Sequence, residues 1–125
     1  MKTQMEFHRG EVYLARLGNP YGSEQGGVRS VIVMQNDMGC IHSPTITMVP
    51  LTGIIKKQHL PSHYVLRDAR FLKKRSMVLG EQIDTIDKSR IISCIGKLSE
   101  RDLDATAKAV KEHLGFFVPE YIETP

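Results

Sequence analysis

Arg29 and Thr52 are the two residues whose types and surroundings best suit chemistry. Arg29 ends the polar, glycine-rich stretch Gly22-Ser23-Glu24-Gln25-Gly26-Gly27-Val28-Arg29. It also opens the apolar run Ser30-Val31-Ile32-Val33-Met34-Gln35-Asn36-Asp37, which reads as a buried strand ending in turn residues. The guanidinium therefore sits where a loop meets a rigid scaffold, a common setting for working side chains. Thr52 ends the alternating segment Thr45-Ile46-Thr47-Met48-Val49-Pro50-Leu51-Thr52 and precedes Gly53. If the two strands are neighbours, their adjacent ends bring these side chains together. A guanidinium presents a fork to two phosphate oxygens, and a hydroxyl adds a neutral donor. The same residues also fit a structural ion pair for Arg29 and a turn cap for Thr52.

Other chemistries find less support. No Gly-x-x-x-x-Gly-Lys-Ser/Thr or Gly-x-Gly-x-x-Gly pattern occurs, so use of ATP or NAD is not expected. His59 and His63 are four apart, but Pro61 lies between them and no glutamate follows His59. They read as surface or loop imidazoles, and no metal site is expected. No serine lies in a Gly-x-Ser-x-Gly elbow. Glu24 and Glu81 read as independent surface groups.

The elements that must position these residues follow from periodicity. Glu11–Leu17 is the expected first strand, Ser30–Asn36 the second and Thr45–Thr52 the third. Asn36-Asp37-Met38-Gly39 and Ser43-Pro44 read as turns. His63–Leu66, Ser76–Leu79, Glu81–Asp87 and Ile91–Leu98 are further strands. Ser99 then caps a helix with acidic residues in its first turn, where the dipole favours them. Leu103, Ala107, Val110 and Leu114 recur at helical spacing, and Gly115 ends the helix. Six or seven short strands followed by one helix predict a mainly-β chain, a strongly bent antiparallel sheet or barrel with a helix packed on it.

The 125 residues suit a single domain spanning 1–125. With 41% apolar and 25% charged residues, the chain reads as an ordinary soluble protein. No run of eighteen apolar residues and no signal peptide is found, and Cys40 and Cys94 read as reduced thiols. A cytoplasmic location is therefore expected, with no membrane partner. Lys and Arg number 17 against 14 Asp and Glu. Lys56, Lys57, Arg67, Arg70, Lys73, Lys74 and Arg75 crowd the middle third, while acidic residues gather at Ser99–Glu112. That asymmetry suggests one basic face, or a merely solvated one.

Collinear motifs then carry a resemblance. Arg9-Gly10-Glu11-Val12-Tyr13, Gly22 to Arg29, Val31 to Asp37, Ser43-Pro44-Thr45, Pro50-Leu51-Thr52, Leu60-Pro61-Ser62-His63, Glu81-Gln82-Ile83, Thr85-Ile86-Asp87-Lys88 and Gly96-Lys97-Leu98 run in order from about Phe7 to Gly115. Together they resemble the MazF/PemK family of toxin endoribonucleases. The resemblance implies an SH3-like barrel (MazF/CcdB-like) with a C-terminal helix, and a homodimer. It implies metal-independent cleavage of single-stranded RNA, including mRNA, at a short sequence without a cofactor. It also implies inhibition by a cognate MazE-like antitoxin. The family's catalytic arginine and threonine fall on Arg29 and Thr52. Ser23, Glu24 and Gln25 match the loop that contacts RNA, and Gln82 is a candidate for base contact. Lys56 and Lys57 are expected to line a basic groove with the Ser23–Val28 loop.

Three positions depart from the family pattern: Ser30 where proline is usual, Gly80 where an apolar residue is common, and Asp84 where a basic residue is frequent. The alternative is a non-catalytic barrel, either a CcdB-like toxin acting on DNA gyrase or an inactive antitoxin-binding module.

Overall fold

The structure, a computed structural model, describes residues 6–19, 22 and 26–116. Seven strands form one antiparallel sheet: β1 (Glu11–Arg16), β2 (Val28–Val33), β3 (Thr45–Thr52), β4 (His63–Val65), β5 (Met77–Leu79), β6 (Asp84–Asp87) and β7 (Ile91–Lys97). A short helix, α1 (Asp37–His42), links β2 to β3, and α2 (Glu100–His113) ends the described chain. The expected mainly-β sheet with a C-terminal helix is found, and the arrangement agrees with the SH3-like barrel that the resemblance implies.

β3 is the hub. One edge pairs with β2, Val31 opposite Pro50 and Val33 opposite Met48. The other edge pairs first with β6, from Thr45↔Asp87 to Met48↔Asp84, and then with β5 at Leu51↔Val78 and Thr52↔Met77. Val49 and Pro50 fall between the two ladders. Proline has no N–H to donate, so it is best tolerated where a ladder is interrupted. The change of partner at Pro50 bends the sheet. The register also shifts twice between β1 and β7, at Val12/Tyr13 and Leu14/Ala15, which adds curvature.

Alternation along the strands fills two cores. Tyr13, Ala15, Val31, Val33, Ile46, Met48 and Ile86 pack on one face with Phe7 and Cys40. Val12, Ile32, Val49, Leu51, Val78 and Leu98 pack on the other with Val110 of α2. β2 is apolar without a break at Val31–Val33 because both of its sides are covered.

Three expectations need correction. Residues 36–39 are not a free turn: Asn36 is an N-cap whose side chain accepts from the Gly39 N–H, and α1 follows. Turns and helix starts share that residue chemistry. Residues 80–82 form a 3-10 turn rather than a strand, so β6 begins only at Asp84. Gly80 N–H donates to Ser62 O at 2.8 Å, and α2 passes so close that a Cβ on Gly80 would stand 2.8 Å from that oxygen and 3.2 Å from Ala109 O. An apolar side chain does not fit there, which accounts for the glycine.

The third correction concerns the buried face of α2. It carries Asp102, Thr106, Ala109 and Val110, while Leu103 and Ala107 are half-buried and Leu114 is exposed. The helix is turned by its N-terminal anchor. The fully buried Asp102 carboxylate accepts from Tyr64 Oη at 2.6 Å, Arg67 N–H at 3.0 Å and Asp68 N–H at 2.8 Å. Asp68 in turn accepts from Ser99 Oγ and Arg101.

Candidate active site

The hairpin that carries Arg29 is closed by two backbone bonds, Leu17 N–H to Gly27 O at 2.8 Å and Gly27 N–H to Gly18 O at 2.7 Å. Gly18 and Gly27 both have positive φ, which lets the chain turn without side-chain strain. Arg29 is held by its Nε, which donates to Gly26 O at 3.0 Å. This bond uses Nε and not the Nη pair, whose fork suits an oxyanion. The Ser23, Glu24 and Gln25 positions lie outside the described residues.

Arg29 pairs with Ala15 of β1, and Thr52 pairs with Met77 of β5. The β2–β3 ladder ends at Val31↔Pro50. Two more residues in the same register lead to Arg29 on one strand and Thr52 on the other. Residues two apart share a strand face, so both belong to the face of Val31, Val33, Met48 and Ile46. Thr52 Oγ1 accepts from Ile54 N–H at 3.1 Å, the turn-capping bond expected of a threonine there. A hydroxyl that accepts one bond keeps its own hydrogen to donate.

On this face lies a trough of about 580 Å3. Met48 and Pro50 form its base, and Gln82, Ile83 and Asp84 line it together with Leu17, Asn19 and Arg90. Gln82 thus lines this trough, whereas neither Arg29 nor Thr52 does; on β3 the lining stops at Pro50, two residues before Thr52. Lys56 and Lys57 do not line it. Both are exposed on the connection after Thr52, and Lys57 O instead accepts from Leu60 N–H and faces His63 Nδ1. The trough is not basic as expected: Glu81, Asp84 and Asp87 border it against the single cation Arg90. Asp87 caps the following turn through Ser89, whose hydrogen bonds hold its carboxyl below the usual range. Asp84 accepts from Thr85 N–H and is exposed.

His63 and Glu81 are neither loop imidazole nor independent surface group. His63 Nε2 lies 3.0 Å from Glu81 Oε2 and its Nδ1 lies 3.0 Å from Lys57 O, with the imidazole only 8% exposed. Both ring nitrogens thus lie within hydrogen-bond distance of an oxygen, which fixes the ring between Glu81 and the Lys57 carbonyl. Partial burial opposes ionisation of Glu81, but hydrogen bonds from His63 and from backbone outweigh it and lower its pKa. The pair therefore braces the turn that carries Gln82. Of the cysteines, Cys40 is buried, which pushes its thiol pKa up, and Cys94 is exposed; both are free.

With this geometry in hand, comparison with known proteins decides the family. A family model described as the PemK-like, MazF-like toxin of type II toxin-antitoxin systems matches residues 8–114. The chain belongs to this family. It is 41% identical over 108 residues to an endoribonuclease MazF of Staphylococcus saprophyticus, a match that covers 86% of this chain and 90% of that protein. Among solved structures, MazF of Deinococcus radiodurans is similar with a TM-score of 0.78 at 19% identity, covering 90% of this chain and all of that one, 100%. A mycobacterial endoribonuclease solved with its cognate antitoxin has a TM-score of 0.76 at 20% identity, covering 90% and 98%. These MazF-family structures share the fold. Asp84 stands out in the sequence as a departure from the family pattern, but nothing local marks Asn19 and Arg90 as trough residues; the fold brings them beside β6.

Proposed function

We propose that this chain is a toxin endoribonuclease that cuts single-stranded RNA at a short sequence, without a metal or cofactor, and is inhibited by a cognate antitoxin. RNA cleavage follows from membership of the MazF-like family and from 41% identity to an endoribonuclease over most of both chains. The observation that supports the site assignment is the common strand face of Arg29 and Thr52, each two residues beyond the Val31–Pro50 rung, with Pro50 itself lining the neighbouring trough.

In the proposed reaction the ribose 2′-hydroxyl gives up its proton as its oxygen attacks the adjacent phosphorus, and the bond to the 5′-oxygen breaks as that oxygen takes up a proton, so the step is proton-neutral overall. The products are a 2′,3′-cyclic phosphate and a 5′-hydroxyl. Negative charge grows on the phosphoryl oxygens during attack. The Arg29 guanidinium stabilises that charge, and the Thr52 hydroxyl donates to the same group. Arginine holds its proton too tightly for an ordinary base, so its role is charge stabilisation and orientation. Gln82 contacts a base in the trough, while Ser23, Glu24, Gln25, Lys56 and Lys57 contact the strand around it. The active form is a cytoplasmic homodimer, and the antitoxin is MazE-like; the Deinococcus MazF is itself solved with MazE.

The test is chemical. One 2′-deoxy substitution at the mapped cut removes the nucleophile, and cleavage there stops while neighbouring sites are still cut. Continued cleavage at the deoxy position rules out transesterification.

A further inference from the structure

Five cations stand together between β4 and β5. Arg67, Arg70, Lys73, Lys74 and Arg75 are all exposed, and all five line one hollow of about 200 Å3. A second hollow of about 550 Å3 shares Arg67 and Arg75 with the first and adds Tyr64, Val65 and Gln58. Neither lining includes a carboxylate. The one acidic residue in the segment, Asp68, is already occupied. It accepts from Arg101 Nη2 at 2.6 Å and Ser99 Oγ at 2.7 Å, and the Arg101 guanidinium holds its pKa low.

This lobe is braced. Leu66 N–H donates to Ser76 O at 3.0 Å and closes its base. Asp102 of α2 accepts from the N–H groups of Arg67 and Asp68. The Phe71 ring occupies the space over Gly96 of β7. Like charges on a fixed scaffold repel one another, and that repulsion is relieved by a polyanion.

The lobe also reaches the candidate site. The Lys74 side chain lies over Gly53, its Cδ 3.3 Å from where a Cβ of that glycine would stand. Gly53 follows Thr52 directly. A strand with its reacting phosphate at Thr52 therefore has further phosphates within reach of Lys74.

We infer that the β4–β5 lobe is a second RNA-binding surface that holds the phosphates of substrate flanking the cut. The identity of the polyanion rests on the RNA-cleavage reading above. Arg67 and Arg75 stand beside the Tyr64 and Val65 side chains in the second hollow, and cations next to an aromatic wall suit a strand of phosphates and flat bases better than they suit an acidic peptide.

Binding of 2′-O-methyl RNA tests this, because that RNA lacks the nucleophile and reports binding without cleavage. Two mixed-sequence lengths are compared, about 30 and about 6 nucleotides, the shorter near the lower end of single-strand site sizes. For Arg70→Gln/Lys73→Gln/Arg75→Gln, affinity for the long RNA falls at least about tenfold relative to the short one at low salt. The slope of log K against log salt becomes shallower by about 2, the loss of three phosphate contacts on a single strand. The charge-keeping Arg70→Lys/Lys73→Arg/Arg75→Lys retains long-RNA binding, which separates charge from folding. Equal effects on both lengths, or no effect, overturn the inference. So does unchanged RNA binding with lost inhibition by the antitoxin, which would make the lobe a protein-docking face. A wild type that cuts no RNA but shows the length and salt effects would sink the nuclease reading and leave this one standing.

Discussion

Arg29 and Thr52 each lie two residues beyond the last rung of the β2–β3 ladder, Val31 opposite Pro50, on the same face of the sheet. The β2–β3 ladder stops at that rung, while on the outer edges Arg29 still pairs with Ala15 of β1 and Thr52 with Met77 of β5.

Thr52 separates two roles by substitution. Thr52→Val removes the donor to the phosphoryl oxygen, and kcat is expected to fall about a hundredfold, near 3 kcal/mol. It also removes the acceptor for Ile54 N–H, at about 1 kcal/mol of stability. Thr52→Ser keeps both bonds and is expected to stay within about fivefold of wild type, since no donor is lost. Steady-state cleavage together with a melting curve reads both effects; a Val variant as active as wild type removes Thr52 from the mechanism.

Asp84 places an exposed negative charge on the trough. It repels the RNA backbone, so Asp84→Asn is expected to lower KM several-fold at low ionic strength, the gain fading as salt shortens the Debye length to about 8 Å near 0.15 M. Fragment-end mapping of the same variant reads any change in the bases preferred. An unchanged KM at all salt concentrations would show that the strand does not pass Asp84.

The Tyr64–Asp102 bond is a stability device with a definite pH signature. Burial first, and then the hydrogen bond to Asp102, pushes the Tyr64 phenol up to about 12. Its ordinary value is about 10. A raised folded pKa contributes stability that is complete below about 10 and is lost as pH rises toward 12. Tyr64→Phe is expected to cost about 1–3 kcal/mol at neutral pH, since a buried acceptor loses a partner, and to flatten the alkaline fall of the melting temperature. An alkaline profile identical to wild type would refute the assignment.

The acid side has the opposite sign. Glu81, Asp68 and Asp87 all have pKa values below their ordinary range, Glu81 through His63 and backbone against the opposing effect of burial, Asp68 through Arg101, Asp87 through Ser89. Their contribution is present above the unfolded value near 4 and is lost as pH falls through the lower folded values. Urea denaturation between about pH 5 and pH 2 should show falling stability, and Glu81→Gln should reduce the slope. A slope unaffected by Glu81→Gln would mean the Glu81 carboxylate contributes nothing to it.

What could be read from the residues alone divides along physical lines. β2 and β3 announced themselves by an apolar run and by alternation, and β3's two-residue period alone puts Thr52 on the side of Met48 and Pro50. α1 did not, because Asn36 and Asp37 serve a turn and a helix N-terminus equally well. Asp102 reads from sequence as a first-turn acid favoured by the helix dipole, and its burial is not legible because its partners Tyr64 and Arg67 lie 38 and 35 residues away. His63 was read as a loop imidazole for the same reason: Glu81 meets it only once β4 pairs with β5. The basic cluster was visible as composition, but its contact with Gly53 was not. Long-range pairing, not local pattern, makes these features.

The most direct measurement uses a long, defined single-stranded RNA incubated in EDTA with wild type and with Arg29→Ala, followed by mapping of both ends at each cut. The account predicts discrete wild-type cuts with 5′-hydroxyl and 2′,3′-cyclic phosphate ends. For a folded Arg29→Ala variant it predicts a rate lower by about a hundredfold or more. Wild-type activity that needs added magnesium, 5′-phosphate ends, or an Arg29→Ala variant that cuts as fast as wild type would contradict it.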